Sequence, residues 1–335
     1  MKILITGING FVGTNIIKAY RDKHSLLGID IIADIPDGVS QVYSWNNINL
    51  IPDAEVLIHL AGKAHDTKNT TAEQEYFDIN VGLTKRIFDH FLSSNTKKFI
   101  FFSSIKAVAD TVDRDELTEE TIPSPQTPYG KSKLLAEHYI SSQNVPVDKM
   151  VYILRPCMIH GPGNKGNLNL LYSIVKQGFP YPLGAFESKR SFLSIRNLIF
   201  ILTELIESIM EPINIETCNL KHETWNLKQV VPSGIYHLAD DEPLSTNQLI
   251  GLMAASINIR ERIWNINPKL IKGLAMLGDK LNLPLNNERL KKLTESYMVS
   301  NKKIKKALNI VSMPVTAEKG MLETLEALKN LKKVN

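Results

Sequence analysis

A chain of 335 residues is long enough for one large α/β unit and a smaller second lobe. Its formal charge of +4 is slight and forms no concentrated basic face, so no nucleic-acid partner is expected; the dense run Lys302, Lys303, Lys305 and Lys306 reads as a solvated helix face. Two cysteines, Cys157 and Cys218, make no disulfide framework and lack metal-ligand spacing, which points to no metal and a reducing, cytoplasmic setting, and no apolar run of about 18 residues offers membrane insertion.

The first half alternates short apolar runs with helical spacing. Lys2–Thr6 reads as a buried strand, its apolar run too short for a signal peptide, and Phe11–Asp22 as a helix. Leu26–Asp30 is a second strand and Val56–Ala61 a third. Val81, Leu83, Ile87, Phe88, Phe91 and Leu92 recur at helical spacing through Asn80–Ser93. Phe99–Ser103 is a further strand, Tyr129–Ser142 a helix and Val151–Arg155 a strand. This rhythm predicts right-handed crossovers and an α/β fold. The expected architecture is a doubly wound parallel sheet of the Rossmann kind, with its ligand at the carboxyl ends of the strands.

After Arg155 the rhythm breaks. Gly161-Pro162-Gly163-Asn164-Lys165-Gly166 is a loop by composition, and Ile235–Leu238 reads as a late strand returning to the sheet. From Asp241 onward the pattern is mostly helical, punctuated by Pro243, Pro268, Pro284 and Pro314. The expected division is a dinucleotide-binding unit from 1–160 and 186–240, with a smaller, mostly helical substrate lobe from 161–185 and 241–335.

Thr6-Gly7-Ile8-Asn9-Gly10-Phe11-Val12-Gly13 sets three glycines three apart, directly after a strand and opening a helix. Glycine suits a turn with unusual dihedrals and lets the backbone approach a pyrophosphate. The helix start at Phe11 and Val12 adds N–H donors and a favourable dipole. A glycine-tightened turn without a ligand is the bland alternative; the position at the head of a βαβ unit weighs against it. Asp30 closes the second strand 17 residues after Gly13. A carboxylate there can accept from both adenosine ribose hydroxyls and repels a 2′-phosphate, so NAD(H) is favoured over NADP(H). Asp34 is the competing acid if the strand runs longer, and either can simply open a turn.

Tyr129-Gly130-Lys131-Ser132-Lys133 places a phenol and an ammonium four apart, on one face of a helix, with Thr127 and Pro128 suited to its cap and first turn. An ammonium beside a phenol favours the phenolate and makes it a usable acid or base. One Tyr-x-x-x-Lys is expected by chance in such a chain. Ser104 adds weight: it follows the strand Phe99–Ser103, 25 residues before Tyr129, where its hydroxyl can reach the same substrate oxygen. Its bland alternative is a strand-end serine bonding local backbone.

Together these residues resemble the extended short-chain dehydrogenase/reductases, a family of nucleotide-sugar epimerases, dehydratases and reductases. The similarity includes the glycine fingerprint, His59-Leu60-Ala61-Gly62, Asn80-Val81-Gly82-Leu83-Thr84, Ser103-Ser104, the Tyr129/Lys133 pair and Arg155-Pro156. It continues through Gly161-Pro162-Gly163, Lys189-Arg190-Ser191-Phe192 and Leu244-Ser245-Thr246. The resemblance implies that Ser104 polarises a sugar C4 oxygen, that Tyr129 exchanges its proton, and that Lys133 holds the nicotinamide ribose. It implies that Gly7, Gly10, Phe11, Val12, Asp30, Leu60, Ala61 and Gly62 bind the cofactor. Asn167 and Arg190 fall where the family holds a UDP-sugar, the alternative for Arg190 being a surface ion pair. A homodimer through the helices at 80–93 and 129–142 is also implied.

Dehydratases of the family carry an acidic pair after the catalytic hydroxyl; Ile105 and Lys106 stand there, which argues against water elimination. Ser103-Ser104-Ile105-Lys106 instead resembles a polysaccharide-cluster subgroup that reduces UDP-4-keto-6-deoxy-N-acetylhexosamines at C4. That reduction is the leading expectation. A UDP-hexose 4-epimerase with tightly bound NAD is the nearest alternative, and a catalytically silent cofactor-binding scaffold represents another class. Asn47, His160, Arg196 and Asn301 depart from common family residues.

Overall fold

Lys98-Phe99-Ile100-Phe101-Phe102 is buried along its whole length, and such runs, apolar on both faces, belong to strands covered by helices on either side. The computed structural model describes all residues except 33, 65–71, 113–115, 165–166, 210–229, 282–285 and 332–335, with only the backbone of 167, 278, 280, 281, 288, 289, 292 and 331. Cys218 lies outside the described residues; Cys157 is buried and free.

The sheet is built from β1 (Lys2–Thr6), β2 (Ser25–Ile29), β3 (Val39–Tyr43), β4 (Val56–His59), β5 (Lys98–Phe102), β6 (Met150–Pro156) and, after a two-residue-offset strand β7 (Met158–His160) and the short β8 (Lys189–Arg190) and β9 (Phe192–Ser194), β10 (Gly234–Leu238). Its order is β10-β6-β5-β4-β1-β2-β3, with every pairing parallel. The chain therefore winds outward in one direction from β1 and then in the other from β4. This topological switch leaves a crevice at the carboxyl ends of β1 and β4, the place where doubly wound folds bind ligands.

Crossover helices cover both faces. α1 (Phe11–Tyr20) buries Gly13, Ile16, Ile17 and Tyr20, a stripe at helical spacing. α2 (Glu73–Phe77) runs through one wide π turn, Asp78–Gly82, into α3 (Leu83–Ser93), which buries Thr84, Ile87, Phe88 and Phe91. α4 (Pro128–Ser141) starts as the sequence predicts: Thr127 accepts the N–H of Gly130 and proline occupies the first turn. Phe88, Phe91 and Phe99 pack ring against ring, with centroids 4.9 to 5.6 Å apart, each buried side chain contributing on the order of 2 kcal/mol.

Two buried lysines close helix ends from neighbouring chain segments. Lys98 donates to the carbonyls of Leu205, Ile206 and Ser208 at 3.0, 2.8 and 2.6 Å. These are the terminal carbonyls of α6 (Ile195–Glu207) and the residue beyond it. Lys149 donates to Phe91 and Ser94 carbonyls at 2.5 and 2.6 Å, at the end of α3. A cation there answers both the orphan carbonyls and the negative end of the helix dipole.

The remaining elements are α5 (Asn167–Lys176), β11 (Leu244–Ser245), α7 (Thr246–Ser256), α8 (Pro268–Leu281), α9 (Asn287–Thr294), α10 (Lys302–Ala307) and α11 (Ala317–Leu331). The C-terminal region is thus helical. Ser245 caps α7 in a reciprocal box with Gln248. Leu168, Tyr172, Phe192, Leu249, Met253, Met321 and Leu325 form a separate apolar cluster among α5, β9, α7 and α11. Among the described residues no helix is long and apolar enough to cross a membrane.

Candidate active site

At the switch point the first glycine turn meets the end of β4. Gly7 has φ +69°, and a Cβ there would lie 2.9 Å from the N of Ala61, so glycine is required by both conformation and space. A Cβ at Gly10 would lie 3.1 Å from the Gly7 carbonyl. Gly10 caps α1 without a side chain, so the first-turn N–H groups, including those of Phe11 and Val12, have no partner within the helix and lie beside the crevice. Asp30 follows directly after β2. Its carboxylate accepts the N–H of Asn9 at 2.9 Å and of Ile31 at 2.7 Å, which ties the glycine turn to the strand end. Asp34 is exposed. A Cβ-free turn, a helix N-terminus and a fixed carboxylate fit the pyrophosphate and ribose of a dinucleotide.

Buried polar side chains brace this corner. Thr6 and His59 are 2.6 Å apart, His59 and Thr84 2.9 Å, and Thr6 accepts the N–H of Ala61 at 3.1 Å. Burial, assisted by the charge of Lys133, holds His59 well below the usual imidazole range, so it is a neutral brace. Asn80, inside the π turn, accepts from the Lys63 N–H at 2.8 Å and donates to Ser132 at 2.9 Å. Sequence reading used Asn80 as part of a motif but assigned it no place in the site; the wide turn that aims it inward has no signature in apolar spacing.

Ser104 leaves β5 in an extended conformation and caps a short turn, accepting the Lys106 N–H at 3.2 Å. It also hydrogen-bonds the phenol of Tyr129. The local-backbone role and the site role therefore coexist in one hydroxyl. Lys133, one turn beyond Tyr129, is enclosed. It donates to the Phe102 carbonyl at 2.9 Å and stands 5.1 Å from the Phe101 ring centroid. A Cβ on Gly62 would come 3.1 Å from its Nζ, so the end of β4 and the lysine share one corner.

The electrostatic balance differs from the simple expectation of an ammonium drawing the phenol down. Burial is the largest influence on Tyr129 and raises its pKa; the Ser104 hydrogen bond opposes, and nearby Tyr76 adds to the rise. Burial pulls Lys133 down to about 8, and Glu137 works against that. Burial thus outweighs the other influences on both groups, and the ammonium is engaged by the Phe102 carbonyl.

Ile105 is buried. The ammonium of Lys106 lies 4.3 Å from the Tyr297 ring centroid and donates to the Asp110 carbonyl at 2.9 Å. No carboxylate follows Ser104. Tyr297 in turn bridges to Arg190 through the backbone and donates to the Ala109 carbonyl at 2.6 Å, which links the serine turn to β8. Arg190 is half-buried there; burial lowers its pKa, with Glu295 and Tyr181 acting against that. Asn167 opens α5, and its side chain lies outside the described residues. The departures are structurally engaged: Arg196 pairs with Glu323 at 2.7 Å, His160 bonds Thr324 at 2.8 Å, and Asn301 donates to Ala239 and Asp241 at 2.9 and 2.8 Å. Among the described residues no group of His, Cys, Asp and Glu is arranged to hold a metal ion.

This fold and corner define an NAD-dependent enzyme of the extended short-chain dehydrogenase/reductase type. The family described as NAD-dependent epimerase/dehydratase matches residues 3–220, and the chain belongs to it. It is similar to a UDP-glucose 4-epimerase of Vibrio cholerae, 32% identical over 220 residues, which cover 62% of this chain and 66% of that one. It is also similar to an N-acetyl-α-D-glucosaminyl-diphospho-ditrans,octacis-undecaprenol 4-epimerase of Escherichia coli O157:H7, 24% identical over 91% of this chain and 85% of that one. Among solved structures, UDP-N-acetylglucosamine 4-epimerase from Bacillus cereus shares the fold, with TM-score 0.71 and 18% identity over 99% of both chains.

Proposed function

We propose that the protein is a nucleotide-sugar oxidoreductase that reduces the C4 ketone of a UDP-4-keto-6-deoxy-(N-acetyl)hexosamine in surface polysaccharide biosynthesis. The observation that carries the catalytic part of this reading is the hydrogen bond between Ser104 and Tyr129 beside the enclosed ammonium of Lys133; the preference for reduction rests on the resemblance of Ser103-Ser104-Ile105-Lys106 to the reducing subgroup. In this reading Gly7, Gly10, Phe11, Val12, Leu60, Ala61 and Gly62 bound the cofactor's phosphates and ribose, Asp30 accepts from the adenosine ribose, and Lys133 holds the nicotinamide ribose. NADH, once bound, supplies the hydride. Ser104 orients and polarises the ketone oxygen. Tyr129 gives that oxygen a proton as charge develops. Burial, by raising the phenol's pKa, favours the protonated form that an acid needs. Asn167 and Arg190 are assigned to the UDP moiety, for which a guanidinium is suited.

The wider parts of the reading are a substrate lobe from 161–185 and 241–335, a cytoplasmic location and a homodimer. Cell fractionation and light scattering test the last two.

A UDP-hexose or UDP-N-acetylhexosamine 4-epimerase with tightly held NAD would use the same residues, and the names of the Vibrio and Escherichia relatives favour it. Incubation with UDP-4-keto-6-deoxy-N-acetylglucosamine and NADH separates the two. Stoichiometric loss of NADH absorbance supports reduction. Epimerisation of UDP-N-acetylglucosamine or UDP-glucose without added cofactor establishes the second reading, and neither reaction leaves a silent scaffold. Under the reductase reading Tyr129→Phe lowers turnover by roughly 10²–10⁴ while NADH affinity is kept.

A further inference from the structure

Three residues spaced four apart on α4 grip three consecutive residues at the exit of β5. Tyr129 hydrogen-bonds Ser104, Lys133 donates to the Phe102 carbonyl at 2.9 Å, and Glu137 accepts a short hydrogen bond from the Ser103 hydroxyl. Glu137 is fixed from the other side by Arg155 on β6, whose Nε lies 3.0 and 3.2 Å from the two carboxylate oxygens and whose Nη2 lies 2.5 Å from one. Both residues are almost fully buried, at 1% and 3% exposure. Arg155 continues to His237 on β10 at 3.5 Å, and the His237 N–H donates to Glu119 at 2.7 Å. A buried ion pair is weak as a source of stability, because desolvation cancels most of the attraction; fixing one arrangement is its better-attested use.

We propose that Glu137, held by Arg155, is a positioning residue for the Ser104–Tyr129–Lys133 group: it locks the 102–104 segment against α4 and sets a negative charge one turn from Lys133. The inference rests on the catalytic reading above. Among the described residues, the ionisable groups acting on Lys133 are Glu137 from its own helix and, from β4, His59, which burial keeps neutral; Arg155 faces Glu137 from β6. Glu137 therefore supplies the countercharge for the ammonium. Without it, Lys133 loses its proton at lower pH, and the strand exit loses its middle anchor.

The test is Glu137→Gln, which keeps the shape and an acceptor for Ser103. The Lys133 titration is followed by ¹³C NMR in protein carrying ε-¹³C-lysine, assigned with Lys133→Met. The midpoint is expected to fall by about half a unit or more. The alkaline limb of kcat for UDP-4-keto-6-deoxy-N-acetylglucosamine reduction should move down with it. A fall in kcat of about tenfold with KM within about twofold marks positioning rather than binding. Unchanged midpoint and pH profile overturn the proposal. Should the single variant fail to fold because Arg155 is left unpaired, Glu137→Met/Arg155→Met removes the pair without an orphan charge; because the cation goes with the carboxylate, the fall in kcat with KM kept decides there, and an unchanged kcat overturns the proposal. Tyr129→Phe run in parallel separates the two readings: if it retains turnover, the catalytic reading fails, while the Lys133 midpoint in the unliganded protein still reports on Glu137.

Discussion

Gly13 lies against the main chain of Ile8, so close that a Cβ on Gly13 would stand 2.3 Å from the Ile8 carbonyl oxygen. Neither atom belongs to a side chain that could swing away. Gly13→Ala is therefore expected to destabilise the protein by about 1–3 kcal/mol and to weaken NADH binding by shifting the turn. Gly82→Ala is the matched control: Gly82 is helical and nothing lies within 4 Å of its added Cβ, so stability should rise by about 0.5 kcal/mol. Urea midpoints for the pair, with NADH titrations, check both.

Removing the Ser104 hydroxyl should act on two quantities at once. Ser104→Ala is expected to lower kcat by roughly 10²-fold, as for loss of one donor at a developing oxyanion. Because the Ser104 bond lowers the pKa of Tyr129, the same change should move the Tyr129 titration further up. Tyrosinate absorbance, taken as the difference from Tyr129→Phe in each background, reads this directly. A downward movement would contradict the contact.

Stability should fall on the acid side through His237. Burial, with Arg155 beside it, lowers its pKa to about 3, while the unfolded value is about 6.5. Between those values the unfolded chain binds more protons, so stability rises with pH. The contribution is complete above about pH 6.5 and is lost as pH drops toward about 3, amounting to about 2 kcal/mol lost by pH 5. His237→Gln should flatten the pH dependence of the urea midpoint in that window, at whatever absolute stability it has.

Lys98→Met and Lys149→Met should each cost about 2 kcal/mol, because each strands carbonyls at the end of a helix. Hydrogen exchange should localise the loss to the last turn of α6 for Lys98→Met and of α3 for Lys149→Met. Turnover should change little for either variant.

Much of the sheet was legible in the sequence because parallel strands are buried on both faces and read as unbroken apolar runs: Lys2–Thr6 agrees with β1 end for end, and Phe99–Ser103 is displaced from β5 by one residue. The start of α4 was legible through Thr127 and Pro128, local chemistry with a local signature. β3 escaped because Val39-Ser40-Gln41-Val42-Tyr43 is an edge strand with Ser40 and Gln41 exposed, too polar to stand out. The strands of two or three residues, β7, β8, β9 and β11, exist only through tertiary pairing. At the site, Tyr129, Lys133 and Ser104 could be named from spacing, and the structure brings them together. The direction in which Lys133 points could not, since it depends on the Phe102 carbonyl. Glu137 looked like an ordinary charged residue and Arg155 was only part of a motif, the two 18 apart in sequence, until two strands and a helix brought them together.

Placing Tyr129, Lys133 and Glu137 on a single helix face means that the site depends on rotational phase. Inserting or deleting one residue between them turns the later members by about 100° and would part hydroxyl, ammonium and carboxylate from their strand partners together. Variation in this protein's relatives should accordingly be free in the loops beyond the strand ends, where length changes alter what is bound, and prohibited within that stretch of helix, where any change of length silences the chemistry without touching a single catalytic side chain.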